Sequence, residues 1–162
     1  MRIGQSTGDN YLAYRPKYPQ ALYSEILSYH DSSANASRQL CVDIGCGPGI
    51  VTVAVAPSFE RVLGVDPSDS MIKTAKQTLK LDNVTYEVGS AEDMTTVKDA
   101  SVDLVIGGTM AHWLDPEPWY REMARILKPD GTIAVFCYGW SVLPLSLIMM
   151  LIGRIGLGQL KR

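Results

Sequence analysis

Hydrophobic positions in the middle of the chain follow two alternating periods. Short runs rich in β-branched residues are separated by longer stretches in which apolar residues recur every three or four positions. The short runs are typical of buried strands, and the longer stretches are typical of amphipathic helices. The pattern predicts strands at Leu40–Ile44, Arg61–Val65, Val84–Val88, Val102–Ile106 and Thr132–Tyr138, and helices at Gln20–Tyr29, Ile50–Ala56, Ser68–Leu81 and Glu117–Leu127.

This alternation predicts the fold class. Strands that alternate with helices form right-handed βαβ units, which place the strands in a parallel sheet. We expect a Rossmann-like, doubly wound α/β fold with a mostly parallel sheet of about five strands, and a turn at Pro129–Gly131 before the last strand. Residues 1–39 are expected to form an N-terminal cap segment and linker, residues 40–139 the ligand-binding core, and residues 140–162 an apolar tail.

The apolar tail admits two interpretations. A membrane span needs about 20 apolar residues with few or no charges, and this tail is interrupted by Pro144, Gly153, Arg154 and Gly156. We therefore favour burial of the tail against the sheet over a membrane anchor.

Composition and charge limit the number of domains and the kinds of molecule that the protein can bind. The 162 residues suffice for one domain with one core, and the net charge of −2 gives no basic footprint for nucleic acid. Three cysteines without a C-x-x-C pair, and an N-terminus without an apolar run, favour a reducing, cytoplasmic setting. His30 and His112 lie far apart in sequence, so we expect no metal site; the oligomeric state stays open.

A glycine-rich loop follows the first predicted strand. Gly45, Gly47 and Gly49 can turn the backbone tightly and admit a ligand close to it, although a structural strand-to-helix turn needs the same residues. The G-x-G-x-G spacing differs from the dinucleotide fingerprint and disfavours a nicotinamide-dependent oxidoreductase. The carboxylate of Asp43 would oppose a pyrophosphate and favour an ammonium group, directly or through water.

Polar residues also end the next two strands. Asp66, before Pro67 and Ser68, stands where it can accept hydrogen bonds from both ribose hydroxyls, or simply cap the following helix. The segment Ser90–Met94 offers polar groups to an adenine amino group, with Met71 or Met94 packed on the ring. A solvated acidic loop is the alternative there, and the choice between Glu92 and Asp93 as the inward side chain is open.

The segment Gly107–Asp115 follows the fourth strand, where the reacting group is expected. His112 is a candidate base, substrate ligand or hydrogen-bonding wall, and a structural histidine is an equal alternative. Trp113 is expected to serve packing.

Together these motifs resemble a known family. DIGCGPG, GVDPS, SAED and LKPDGTIAVF, in this order over Leu40–Phe136, resemble class I S-adenosylmethionine-dependent methyltransferases of the methyltransferase type 11 kind. The resemblance implies S-adenosyl-L-methionine as cofactor and a methyl group transferred to a small molecule. The core residues it implies for cofactor binding are Asp43, Gly45, Cys46, Gly47, Gly49, Asp66, Pro67, Met71, Ser90, Ala91, Glu92 and Asp93.

A narrower resemblance involves the N-terminus. YLAYRPKYPQALYSEILSYH and AHWLD are similar to the fungal trans-aconitate methyltransferase-type branch, which methylates a small carboxylic acid on oxygen. It implies that Tyr11, Tyr14, Arg15 and Tyr18 lie in a segment folded over the cofactor. Arg15 would pair with a carboxylate of the cofactor or substrate, unless it is a surface arginine.

The C-terminus departs from the family pattern. The resemblance implies a seven-stranded sheet, whereas 24 residues (139–162) follow Tyr138. We expect a truncated sheet that lacks the last two strands, an exposed edge at the fifth strand or its neighbour, and partial cover by the tail. A non-catalytic cofactor-binding fragment or pseudoenzyme is therefore the alternative to an active methyltransferase.

Overall fold

The computed structural model describes residues 18–78, 80–138 and 148–154. Within these residues a sheet is flanked by helices, and the predicted order of elements is confirmed. The helices are α1 (Gln20–Asp31), α2 (Ile50–Val55), α3 (Asp69–Thr78) and α4 (Pro116–Ile126), with 3₁₀ turns at Ala56–Ser58 and Ala111–Trp113. The strands are β1 (Leu40–Ile44), β2 (Arg61–Asp66), β3 (Val84–Val88), β4 (Val102–Gly108), β5 (Leu127–Tyr138) and β6 (Ile148–Arg154).

The strand order is β3-β2-β1-β4-β5-β6. Strands β1 to β5 are mutually parallel, and β6 runs antiparallel to β5. The chain moves outward from β1 in one direction through β2 and β3, and then in the other through β4 and β5. In such doubly wound sheets a crevice opens at the carboxyl ends of the strands where the order reverses.

Helices cover both faces of the sheet. On one face, Leu22 and Ile26 of α1 and Val55 of α2 pack with Cys41 of β1. On the other face, Met123 and Ile126 of α4 pack with Val42 and Ile44. The two faces follow from β1 itself, because successive side chains of a strand point to opposite sides. The predicted Rossmann-like, doubly wound α/β fold is therefore confirmed.

The tail corrects the predicted sheet. Instead of about five strands there are six, because Ile148–Arg154 pairs with β5 from Thr132 to Tyr138. Of the two edges expected, β5 is not one, because backbone groups of the tail pair with it; its neighbour β6 is the last strand of the sheet among the described residues. The Arg154 guanidinium secures the new strand by donating to the carbonyl oxygen of Tyr29 at 2.6 Å and lying 4.5 Å from the centre of its ring. No helix in the described ranges is long and apolar enough to cross a bilayer.

Several element boundaries also differ from the predictions. β5 begins at Leu127, so the predicted turn lies inside the strand as a register shift, with Asp130 at φ +64°. α2 ends at Val55 and continues as a 3₁₀ turn. α3 begins after Ser68, whose hydroxyl oxygen accepts the N–H of Met71 at 3.4 Å, and its last described residue is Thr78.

Candidate functional site

The three glycines of the loop after β1 all have positive φ, at +61°, +52° and +90°, but their surroundings differ. A Cβ on Gly45 would lie 2.8 Å from the Cβ of Met110, and one on Gly49 would overlap the hydroxyl of Tyr86. A Cβ on Gly47 would meet no atom of the described residues within 4 Å. Gly45 and Gly49 are thus required by the packing of the protein, whereas nothing in the described part of the chain packs on Gly47.

Asp66 connects this loop to β2. One carboxylate oxygen accepts the N–H of Gly47 at 2.8 Å, and the other accepts the N–H of Ser68 at 2.8 Å. The side chain therefore holds the glycine loop and the start of α3 at a fixed distance. Each carboxylate oxygen can accept more than one hydrogen bond, so Asp66 retains acceptor capacity towards a ligand.

A cleft of about 520 Å³ opens beside these groups, at the carboxyl ends of β1, β2 and β4. It unites most of the predicted site residues with several that were not predicted. The residues that line it are Gly45, Gly47, Asp66, Pro67, Ser68, Met71, Ser90, Ala91, Glu92, Gly108, Thr109, Met110, Trp113 and Leu114.

The segment after β3 supplies one wall of the cleft and resolves the choice between two carboxylates. Glu92 lines the cleft, whereas Asp93 is exposed and does not. Burial raises the pKa of Glu92, but hydrogen bonds from the Ser90 hydroxyl and the Asp115 N–H outweigh it and bring the pKa below its ordinary value. Met71 lies in the cleft, as one of the two alternatives predicted, and Met94 is buried in the core instead.

This wall is fixed from behind by α4. The carboxylate of Glu122 accepts the N–H of Met94 at 2.7 Å, and Arg125 donates to the carbonyl oxygens of Met94 and Val97 at 3.0 and 2.9 Å. Glu122 and Arg125 are paired at 2.6 Å. Glu122 and Arg125, three positions apart on α4, thereby bind the N–H and the carbonyl oxygen of Met94, two residues after Glu92.

The segment after β4 supplies the opposite wall. Thr109 has φ +57°, unusual for a β-branched residue, and its hydroxyl shares a hydrogen bond of 2.6 Å with the hydroxyl of Tyr18. The expectation that Trp113 serves packing is wrong, because its side chain is 76 % exposed and lines the cleft. The position of this large apolar residue in the segment after the fourth strand was the sequence signal for this role.

Asp43, two residues before the glycine loop, is buried and is not among the lining residues. One oxygen accepts the Thr52 hydroxyl proton at 2.6 Å, and the other is buried without a partner among the described residues. Burial raises the pKa of Asp43 to about 7, against the lowering effect of the Thr52 hydrogen bond. Two other predicted residues, Cys46 and Gly49, pack against Tyr86 rather than line the cleft.

The remaining predicted residues lie away from the cleft or outside the described part. His112 is exposed on the 3₁₀ turn, 4.9 Å from the Trp113 ring, and does not line the cleft. Tyr14 and Arg15 fall outside the described residues, as does Tyr11. Among the residues that the structure describes, no cluster of His, Cys, Asp and Glu could hold a metal ion.

Comparisons with known proteins agree with this architecture. The model of the family described as "Methyltransferase domain" matches residues 42–135. A Saccharomyces cerevisiae protein, CRG1, whose name describes it as an S-adenosylmethionine-dependent methyltransferase, is 35% identical over 80% of this chain and 44% of its own length. The chain spans a little under half the length of the curated relatives it matches.

Solved structures extend the agreement to the fold. A methyltransferase structure from Anaeromyxobacter dehalogenans is 36% identical, with a TM-score of 0.67 over 78% of this chain and 50% of that one. The Haemonchus contortus phosphoethanolamine N-methyltransferase 2, solved in complex with S-adenosyl-L-methionine, is 26% identical, with a TM-score of 0.67 over 85% and 34% of the two chains. Family match, glycine loop and sheet order together show that this chain belongs to the S-adenosylmethionine-dependent methyltransferases.

Proposed function

We propose that this protein transfers a methyl group from S-adenosylmethionine to an oxygen atom of a small organic acid. The observation that carries the proposal is the pairing of an open glycine, Gly47, with a carboxylate, Asp66, at the mouth of a cleft of about 520 Å³. The acid as acceptor rests on the resemblance of the N-terminal segment and AHWLD to the trans-aconitate methyltransferase-type branch.

The residues of the cleft fit the chemical groups of the cofactor. Asp66 would accept the ribose hydroxyls, and Met71 and Ala91 would hold the adenine ring between β2 and β3, with Glu92 near its amino group. Gly47 leaves room for the amino-acid portion. Asp43, two residues before the same loop, has an oxygen without a partner among the described residues, and in its ionised form this carboxylate would favour a nearby cationic ligand.

Methyl transfer to a carboxylate requires little acid–base catalysis from the protein. The cofactor supplies an electrophilic methyl group: a lone pair of the acceptor oxygen forms the new O–C bond, and the electrons of the S–C bond return to sulfur. A carboxylate acceptor is already ionised at pH 7 and loses its charge on methylation, so no proton has to move. The side chains of the cleft therefore act by holding the two reactants in line and by excluding water.

The ribose assignment can be tested with a pair of ligands. Calorimetric titration should show that the unaltered protein binds S-adenosylhomocysteine about 10- to 100-fold more tightly than its 2′-deoxyribose analogue, since a hydrogen bond to a charged group is lost. In Asp66→Asn the two ligands should differ much less. This comparison is independent of any general loosening of the loop by the substitution, because both ligands experience it. Equal affinities in the unaltered protein would refute the assignment.

The reaction itself needs a separate assay. Transfer of a labelled methyl group to a panel of small carboxylic acids, with detection of the methyl ester, should give product that depends on both substrates. Cofactor binding without turnover would instead support the non-catalytic cofactor-binding module that the sequence leaves open.

A further inference from the structure

The half of the cleft next to β4 differs in character from the half that we assign to the cofactor. Five lining residues come from the single segment Gly108–Leu114, and Met110, Trp113 and Leu114 make it apolar. The two carboxylates of the cleft, Asp66 and Glu92, belong to the segments after β2 and β3. In the part of the chain that the structure describes, no lysine, arginine or histidine lines the cleft.

Trp113 is the unusual residue of this half. Its indole is 76 % exposed, although a side chain of this size normally contributes to a core. The 3₁₀ turn that carries it is held by two backbone hydrogen bonds, from Trp113 N–H to the Met110 carbonyl at 3.0 Å and from Leu114 N–H to the Ala111 carbonyl at 3.3 Å. The ring is therefore presented to the cleft by an ordered turn.

The base of this wall is equally well fixed. The N–H of Thr109 donates to the Phe136 carbonyl at 2.6 Å, and its hydroxyl bonds to Tyr18. Tyr18 in turn packs edge-on against Phe136, with ring centres 4.6 Å apart. A Cβ on Gly108 would lie 3.1 to 3.2 Å from Phe136 and Tyr18, so the strand end is closely packed. Such rigidity is typical of a surface that holds a ligand in one orientation.

We propose that Met110, Trp113 and Leu114 form the acceptor-binding face, and that this face takes a flat, apolar acceptor body stacked on the indole of Trp113. This inference rests on the proposed methyl transfer and specifies the acceptor class. The hydrocarbon body lies on the apolar wall, and the oxygen that receives the methyl group points towards the cofactor half. Acids that carry an aromatic ring satisfy this description, and short acids without a ring do not.

Two acids with the same reactive group separate these classes. trans-Cinnamate and crotonate share an unsaturated carboxylate, and cinnamate alone carries a flat apolar ring. Binding of each acid to the full chain saturated with S-adenosylhomocysteine is measured by calorimetry, so the test does not depend on turnover. The unaltered protein should bind cinnamate at least tenfold more tightly than crotonate, which corresponds to about 1.4 kcal/mol.

Substitutions then assign the preference to Trp113. Trp113→Ala should weaken cinnamate binding about tenfold and leave crotonate and S-adenosylhomocysteine binding unchanged, whereas Trp113→Phe should retain most of the affinity for cinnamate. Tyr120→Ala is the matched control, because Tyr120 is a 47 % exposed aromatic on α4 that does not line the cleft.

The outcomes that would overturn the inference are distinct from failure of the proposed function. Equal binding of the two acids by the unaltered protein, including no binding of either, contradicts the acceptor face. A loss of S-adenosylhomocysteine affinity in Trp113→Ala as large as the loss of cinnamate affinity also contradicts it, because that result would place the indole in the cofactor site. If cinnamate binds as expected but no methyl ester forms, the methyl transfer is refuted and the apolar face stands as a ligand site.

Discussion

The buried carboxylate of Asp43 should make the protein less stable as the pH rises towards neutrality. Burial raises its pKa from 3.8 to about 7 in the folded protein, so between these values the folded state holds a proton that the unfolded chain has released. The contribution of this proton to the free energy of unfolding is therefore complete below the pKa of Asp43 in the unfolded chain. It is lost as the pH rises through the pKa of Asp43 in the folded protein. Asp43→Asn removes this titration and keeps the shape of the side chain.

The magnitude follows from the two pKa values. Between pH 5 and pH 7 one additional bound proton changes the free energy of unfolding by about 1.4 kcal/mol per pH unit, or about 3 kcal/mol in total. The asparagine can still accept the Thr52 hydroxyl proton, but its amide group stands where Asp43 has an oxygen without a partner. That unsatisfied N–H donor lowers the unfolding free energy of the variant by about 1–3 kcal/mol. Because this cost is the same at every pH, it does not affect the pH dependence.

The assay is urea unfolding at pH 5 and pH 8, followed by circular dichroism. The stability of Asp43→Asn relative to the unaltered protein should improve by about 3 kcal/mol between the two pH values. Asp82→Asn is the control, because Asp82 is exposed after α3 and should show no such change. An improvement below about 1 kcal/mol would refute the reasoning, since it would mean that Asp43 ionises at little cost in the folded protein.

Four further substitutions test other parts of the structure. Gly49→Ala places a methyl group on the Tyr86 hydroxyl and should lower the unfolding free energy by about 2–4 kcal/mol. Gly47→Ala, which meets no described residue, should cost about 1–2 kcal/mol through its positive φ alone. Equal losses of the two variants in urea titrations would contradict this difference. Glu122→Gln should destabilise by about 1–3 kcal/mol at pH 7. The Arg125 partner holds the pKa of Glu122 below its ordinary value, so in thermal melts this difference should shrink on acidification below pH ~4, and a constant difference would count against the pairing. Arg154→Met should lose about 1–2 kcal/mol and speed hydrogen exchange in β5, and unchanged exchange would show that β6 does not depend on this contact.

The loop and the strands beside it were predictable because their determinants are local. A run such as Leu40–Ile44 is buried on both faces, and its length and β-branched content mark it as a strand of a parallel sheet. Gly47 and Asp66 follow two such strands directly, and carboxyl ends of adjacent parallel strands meet at one edge. Chain order was therefore enough to bring them together, as the 2.8 Å hydrogen bond between them shows.

Side-chain direction was not predictable in the same way. Glu92 and Asp93 are neighbours with the same chemistry, and their separation into a cleft residue and an exposed one depends on hydrogen bonds from Ser90 and Asp115. Asp115 lies 23 positions away, so nothing in the local pattern contained this contact. The same applies to Trp113, whose exposure depends on how the turn after β4 leaves the sheet.

The amino-acid sequence by itself determined the α/β class, the order of its elements and the position of the glycine loop, because periodicity, β-branching and glycine content act through the backbone of neighbouring residues. The tertiary structure alone decided that the tail adds an antiparallel sixth strand, that the buried Asp43 has an oxygen without a partner among the described residues, and that Trp113 faces the cleft. Each of these depends on contacts between residues distant in the chain, whose free energies are set by burial and hydrogen-bond geometry that appear only when the sheet and its helices are packed together.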